Sequence, residues 1–172
     1  MVRHAGADDV SAISEIGLDS FRAAYEHTCE ADDLILHLDE FHAEAAVVAQ
    51  IGSPGTDYLI AENNGRPAGF AKVRETSPLP EVTATRVIEL HQLYVQPDQQ
   101  RFGVGGYLLK AVFDYVRDKA ADGVWLSAWE EANWAIDFYN KHAFATIGTT
   151  DFRLGETVYV DLLMWRPVNL EN

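Results

Sequence analysis

The stretch Leu93-Tyr94-Val95-Gln96-Pro97-Asp98-Gln99-Gln100-Arg101-Phe102-Gly103-Val104-Gly105-Gly106 decides how the rest of the chain is read. It begins as the end of an apolar strand, passes through a polar, proline-started connection and finishes in glycines. After it Leu108, Leu109, Val112, Phe113 and Val116 recur on one face of a predicted helix, with Lys110, Asp114, Arg117 and Asp118 off that face. A glycine turn between strand and helix lets backbone come close to a ligand, and the helix start aims free N–H groups and a positive dipole end at it. Strand, glycine turn and helix in that order suit a pyrophosphate. Two other phosphate motifs do not fit. A Walker loop needs Gly-Lys-Ser or Gly-Lys-Thr, and a dinucleotide fingerprint needs a third glycine where Leu108 stands.

Outward from this turn the pattern alternates elements. Upstream, Val10, Ile13, Ile16, Phe21 and Tyr25 have helical spacing, and 34–51 predicts a second helix. Tyr58 to Ala61 and Gly69 to Val73 predict two antiparallel strands joined by the tight turn Asn63-Asn64-Gly65-Arg66-Pro67. A longer strand runs from Arg86 to Val95. Downstream come a strand at 124–128, a helix at 132–141 and closing strands at 144–148 and 158–165. The order predicts one α/β (α+β) domain over residues 1–172, its sheet covered by helices on both faces.

Three stretches together resemble the GNAT N-acetyltransferases. Gln100 to Gly105 is similar to that family's (Gln/Arg)-x-x-Gly-x-(Gly/Ala), and Leu93 to Pro97 is similar to the strand end before it. Ala135-Ile136-Asp137-Phe138-Tyr139-Asn140-Lys141-His142-Ala143-Phe144 resembles Ala-Ile-x-Phe-Tyr-x-Lys-x-Gly-Phe. The resemblance implies a mixed, mostly antiparallel sheet flanked by helices, and acetyl-CoA as cosubstrate with no metal. It implies that Gln100, Arg101, Phe102, Gly103, Val104, Gly105 and Gly106 hold the pyrophosphate, with the loop amides as donors. Leu93, Tyr94 and Val95 would lie along the pantetheine arm like an added strand. Two departures stand out. Ala132 occupies the place of the family's asparagine, with Asn133 one place late, and Ala143 replaces a glycine.

Acetyl transfer from a thioester to an amine needs a proton acceptor, a donor for the oxyanion and an acid for the departing sulfur. Glu89 has the spacing from Leu93 and Val95 that the family's glutamate base has. Strand alternation puts Glu89, His91, Leu93 and Val95 on one face unless a bulge intervenes, and burial there would raise the carboxyl's pKa. His91 is the rival base, and a solvent-facing Glu89 the plain alternative. Tyr139 matches the family tyrosine that protonates the sulfur, although its helix also needs core aromatics. The Leu93 N–H is the expected oxyanion donor.

Charge narrows the acceptor. Thirteen Lys and Arg stand against 27 Asp and Glu, a formal charge of −14, which repels nucleic acid and anionic lipid and attracts cations. Between Arg22 and Arg66 there is no Lys or Arg, while Glu26, Glu30, Asp32, Asp33, Asp39, Glu40, Glu44, Asp57 and Glu62 fall in that span. Within the family, Asp19-Ser20-Phe21 to Tyr25 with the acidic helix after it, Glu89 to Tyr94, and Val124-Trp125-Leu126 with Trp129-Glu130 resemble the spermidine/spermine acetyltransferases of the PaiA kind. A polyamine carries several ammonium groups, so Asp32 and Asp33 of the acidic stretch would draw it in, and Tyr25 and Trp129 would add cation–π contacts. Other amines (an aminoglycoside, an amino acid, a protein N-terminus) and a CoA-binding regulator without turnover remain as alternatives. Cys29 is the only cysteine, the start lacks the apolar run of a signal peptide, and no stretch has membrane-span length, so a cytoplasmic location is expected. His27, His37 and His42 lack the i, i+4 spacing of a helical metal site. A homodimer is compatible with the resemblance, with no stretch marking an interface.

Overall fold

The computed structural model describes residues 1–168; residues 169–172, the last four of the expected domain, lie outside the described residues. Seven strands form one sheet in the order β1-β2-β3-β4-β5-β7-β6. They are β1 (Val2–His4), β2 (Thr56–Asn63), β3 (Arg66–Thr76), β4 (Val87–Val95), β5 (Gly123–Trp129), β6 (Ala145–Leu154) and β7 (Thr157–Pro167). Every neighbouring pair is antiparallel except β4 with β5. Helices α1 (Val10–Tyr25), α2 (Ala31–Phe41) and α3 (Glu44–Gln50) precede β2. Helix α4 (Val104–Asp118) crosses between the parallel strands, and α5 (Asn133–Lys141) follows β5.

Side-chain alternation in the strands builds two cores. Tyr58, Ile60 and Phe70 face Val10, Ile13, Ile16 and Val47 of α1 and α3. Leu59, Ala71, Val73, Ile88, Leu90, Val124 and Leu126 face the other way, onto the predicted α4 stripe of Leu108, Leu109, Val112, Phe113 and Val116. Asn64 and Gly65 both take positive φ, 50° and 73°, as the two central residues of a type I′ hairpin turn do, which fixes the β2–β3 register.

The structure departs from the sequence pattern at three places outside the site. The short β1 was not legible: three residues pairing with β2 carry no periodicity. The predicted helix at 34–51 is two helices, because His42 ends α2 and Ala43 is extended. Ser14 Oγ donates to the His42 carbonyl at 2.7 Å, and the His42 ring lies against Gly17, where a Cβ would meet Nδ1 at 2.8 Å. Burial pushes the His42 imidazole down to about 4, so it packs as a neutral ring. The third departure is Ala143. It follows the end of α5 with φ 62°, in the left-handed region that costs a Cβ-bearing residue about 1–2 kcal/mol.

That conformation makes Ala143 a strained substitute for glycine. Ala143→Gly is expected to raise the unfolding free energy by about 1 kcal/mol, less the entropy that glycine adds to the unfolded chain. Chemical denaturation checks this; a less stable variant would mean that the Cβ contributes packing that outweighs the strain.

Candidate active site

The parallel pair β4–β5 is joined only at Val87↔Gly123, Ile88↔Val124 and Glu89↔Trp125. Beyond Glu89 the two strands part, and a cleft of about 680 Å³ opens between them, within the range of small-molecule sites. From Leu90 to Val95, β4 stays paired with β3 and, among the described residues, has no strand partner on its β5 side. That edge suits the amides of an extended ligand arm. Leu93, Tyr94 and Val95 all line the cleft.

At one end of the cleft stands the glycine turn. Gly103 is left-handed at φ 78° and immediately precedes α4; Arg101, at φ 73°, is left-handed as well. The first turn-closing bond is from Tyr107 N–H to the Gly103 carbonyl, so the N–H groups of Val104, Gly105 and Gly106 precede the helix ladder. Gln100, Arg101, Gly103, Val104, Gly105 and Gly106 line the cleft. Unladdered amides, a positive dipole end and backbone without side chains at three positions fit a pyrophosphate. Phe102 points away: it is absent from the lining and largely exposed.

The expected shared face of Glu89, Leu93 and Val95 is corrected by a bulge. Lys72 pairs with Gln92 while Val73 pairs with Leu90, which leaves His91 as the extra residue of β4. Leu90, Leu93 and Val95 therefore join the core under α4, whereas Glu89 shares the opposite face with Arg74. Glu89 is buried and does not line the cleft; His91 does. The His91 Nδ1 stands 3.0 Å from Glu89 Oε1; Arg74 Nε donates to Oε2 at 2.8 Å, and Arg74 Nη2 pairs with the same oxygen at 2.6 Å.

The expected rise in the Glu89 pKa is corrected as well. Burial works upward, but the hydrogen bond to His91 and the Arg74 guanidinium outweigh it and hold the carboxyl below its ordinary value. Burial lowers the His91 imidazole, and Glu89 only partly restores it. With the Nδ1 proton held by an ionised Glu89, Nε2 is the unprotonated nitrogen. Tyr139 is buried in the wall of the cleft, and desolvation raises its hydroxyl so that it stays protonated.

The remaining candidates divide. Tyr25 and Trp129 line the cleft with ring centroids 5.5 Å apart. Asp32 and Asp33 do not line it: Asp32 is exposed in the first turn of α2, and Asp33 accepts from the Glu156 N–H at 3.3 Å. Asn133 is exposed and its Nδ2 bonds the Glu131 carbonyl at 3.3 Å, while Ala132 takes the lining position. His37 stacks on Phe21 and His27 pairs with Glu26. Among the described residues no helix is long and apolar enough to cross a membrane.

The cleft also takes in residues that were not among the expected site residues, Asp161 and Ser20 among them. Asp161 on β7 is 7% exposed and sits in the cleft wall beside Trp129, its register partner on β5. Ser20 on α1 lines the same cleft. The signal for Asp161 was present: one charge inside Val158-Tyr159-Val160-Asp161-Leu162-Leu163-Met164-Trp165 is out of place in a core strand.

Comparison with known proteins agrees with this geometry. Residues 12–144 match the model of the acetyltransferase (GNAT) family. The uncharacterised N-acetyltransferase YhfO of Bacillus subtilis is 29% identical over 143 residues, covering 83% of this chain and 88% of its own. An N-acetyltransferase from Lactobacillus delbrueckii is 21% identical over 156 residues, 91% and 90% of the two chains. Among solved structures, the PaiA N-acetyltransferase of Thermoplasma acidophilum in complex with coenzyme A superposes with TM-score 0.77 at 17% identity, over 97% of this chain and 98% of that one. At that identity the likeness speaks for the fold. With the family model spanning most of the chain, and with the parted strands and glycine turn in place, the protein belongs to the GNAT acetyltransferase family and is an acetyl-CoA-dependent N-acetyltransferase.

Proposed function

We propose that this chain, as one domain over residues 1–172, acetylates a primary amine of a polyamine such as spermidine or spermine. The observation that carries the reading is the placement of the acidic span. Helix α2, which opens with Asp32 and Asp33, packs through Leu34 and Leu38 against Phe21, Leu154 and Tyr159, a cluster that also takes in Tyr25 and Trp129. The stretch without Lys or Arg thus borders the aromatic wall of the cleft, where a polycation would be concentrated by long-range attraction and held by ring faces. Asp32 and Asp33 act here by field, from outside the cleft.

Acetyl-CoA, when bound, supplies the acetyl group as a thioester; the glycine turn from Gln100 to Gly106 and the free edge of β4 would hold it. His91 Nε2 takes a proton from the acceptor ammonium, and Glu89 stabilises the imidazolium through Nδ1. The freed nitrogen would form the N–C bond at the thioester carbonyl carbon, and the proton it sheds as the amide forms replaces the one that Tyr139 gives up. An N–H of the β4 edge, at Leu93, donates to the carbonyl oxygen as charge gathers on it. Tyr139 gives its hydroxyl proton to the sulfur as the C–S bond breaks. Glu89 therefore works through His91, not on the amine itself.

Release of CoA with spermidine and spermine, run beside lysine, an aminoglycoside and a peptide amine, tests the acceptor. Turnover on polyamines, with KM rising when Asp32, Asp33 and Glu40 are neutralised at low salt, is the expected result. Turnover confined to another amine would replace the polyamine, and acetyl-CoA binding without any turnover would leave a regulator.

The base assignment predicts a pH profile. Activity should fall as pH drops through the His91 pKa, which burial places below the ordinary value of about 6.5. Glu89 pushes that pKa upward, so Glu89→Gln should move the acid limb of kcat/KM to lower pH and reduce the plateau by roughly 10²-fold. An acid limb that stays in place would remove His91 from the mechanism.

Tyr139→Phe should lower kcat by roughly 10²-fold, the scale of one general acid, while acetyl-CoA affinity holds. Equal rates for the variant and the parent enzyme would make Tyr139 a wall residue alone.

A further inference from the structure

Among the described residues, two buried side-chain polar atoms have no hydrogen-bond partner, Ser20 Oγ and Asp161 Oδ1. Both residues line the same cleft, although they come from α1 and β7, far apart in the chain. Buried polar groups are otherwise almost always paired, because leaving one unpaired costs its hydration. Two such atoms on residues that line one cavity mark a place for a ligand's polar group.

The surroundings give that ligand a sign. Asp161 is 7% exposed, and among the described residues no Lys, Arg or His forms a salt bridge with it. Burial pushes its carboxyl above the ordinary carboxylate value, with only the Ser127 hydroxyl, two residues along β5 from Trp129, pulling it back. Tyr25 is close enough for the Asp161 charge to raise its phenol further, and Trp129 lies opposite Asp161 in the sheet register. A carboxylate with an uncommitted oxygen, a hydroxyl and two aromatic walls is the chemistry that receives an ammonium group.

We propose that Asp161 Oδ1, seconded by Ser20 Oγ and walled by Tyr25 and Trp129, is the acceptor subsite, binding the substrate as an ammonium cation by charge-assisted hydrogen bonds. This rests on the reading of the chain as an amine acetyltransferase and adds the group that receives the amine. It assigns Asp161 to binding, while proton transfer stays with His91. The site counts one charge, so it serves any primary ammonium, and the outer acidic surface selects the polycations among them.

The test is direct binding, which does not depend on turnover. Spermidine, lysine, kanamycin and an alanine-leading tripeptide are titrated calorimetrically into the protein–CoA complex, for the parent chain, Asp161→Asn and Ser20→Ala. The expected result is a Kd for the binding amine at least tenfold weaker in Asp161→Asn and a few-fold weaker in Ser20→Ala, with CoA affinity unchanged. The thermal midpoint of Asp161→Asn should hold or rise, since a buried unpaired carboxylate is removed; a structural role would lower it. Amine affinity indifferent to both substitutions overturns the subsite even where acetyl transfer proceeds. A fall in kcat at unchanged amine affinity likewise overturns it, giving Asp161 a proton-transfer role. Asp161-dependent binding without acetyl transfer upholds the subsite and sinks the transfer reading. A parent chain that binds none of the four amines overturns both.

Discussion

The parting of β4 from β5 is the constraint on which the site depends. Three residue pairs hold the parallel strands together, and the last is Glu89↔Trp125. A parallel pair that stops so early leaves backbone without ladder bonds at the centre of a sheet, a costly arrangement unless something else satisfies those groups. The rest of the fold keeps the gap open. Helix α4 is fixed over β2, β3 and β4 by the stripe from Leu108 to Val116. On the far side, β5 is anchored to β7 along its whole length, from Gly123↔Pro167 to Trp129↔Asp161. With each half held by its own partners, neither strand swings across to close the cleft.

The bulge at His91 follows from the same division. Below it, Leu90 and Ile88 point into the core under α4; above it, Leu93 and Val95 must do so as well, to line the widening cleft from that side. An interval of three between Leu90 and Leu93 breaks the two-residue repeat, and one extra residue restores the face. The extra residue is the histidine, and its side chain is 32% exposed in the cleft against 9% for Glu89 behind it. The bulge thus separates two neighbouring ionisable groups into an inner one fixed by Arg74 and an outer one free to meet a ligand.

What was legible in the sequence is what local pattern determines. The α4 stripe, the glycine turn and the Asn64-Gly65 hairpin each carry their own signature within a few residues, and each stands where the pattern placed it. What was not legible depends on partners distant in the chain. The β4 bulge is visible only in the register with Lys72 and Val73 of β3. The break between α2 and α3 is set by Ser14 and Gly17 of α1 closing on His42. Asn133 has the side chain a ligand contact would want, but its place in the first turn of α5 sends that side chain back to Glu131. Asp161 stands out in the sequence as the one charge in an apolar run, but its significance lies in the residues it faces across the sheet.

Two carboxylates lie buried beside this cleft, and the same exposure of 7% describes both Glu89 and Asp161. Burial alone would raise both, and the difference between them is made by neighbours. Glu89 has a guanidinium on one oxygen and an imidazole on the other, which keeps it ionised and leaves it no vacancy for a substrate. Asp161 has a strand-neighbour hydroxyl and an uncommitted oxygen, which leaves it without a charged partner until a cation arrives. A pair arranged in this way divides the two demands of amine acetylation. Holding an ammonium favours its charged form, whereas attack by the nitrogen requires the proton to leave, and one carboxylate serving both ends would oppose itself. Placing the binding charge on β7 and the proton acceptor on β4, on opposite sides of the parted strands, lets each group be tuned by its own surroundings.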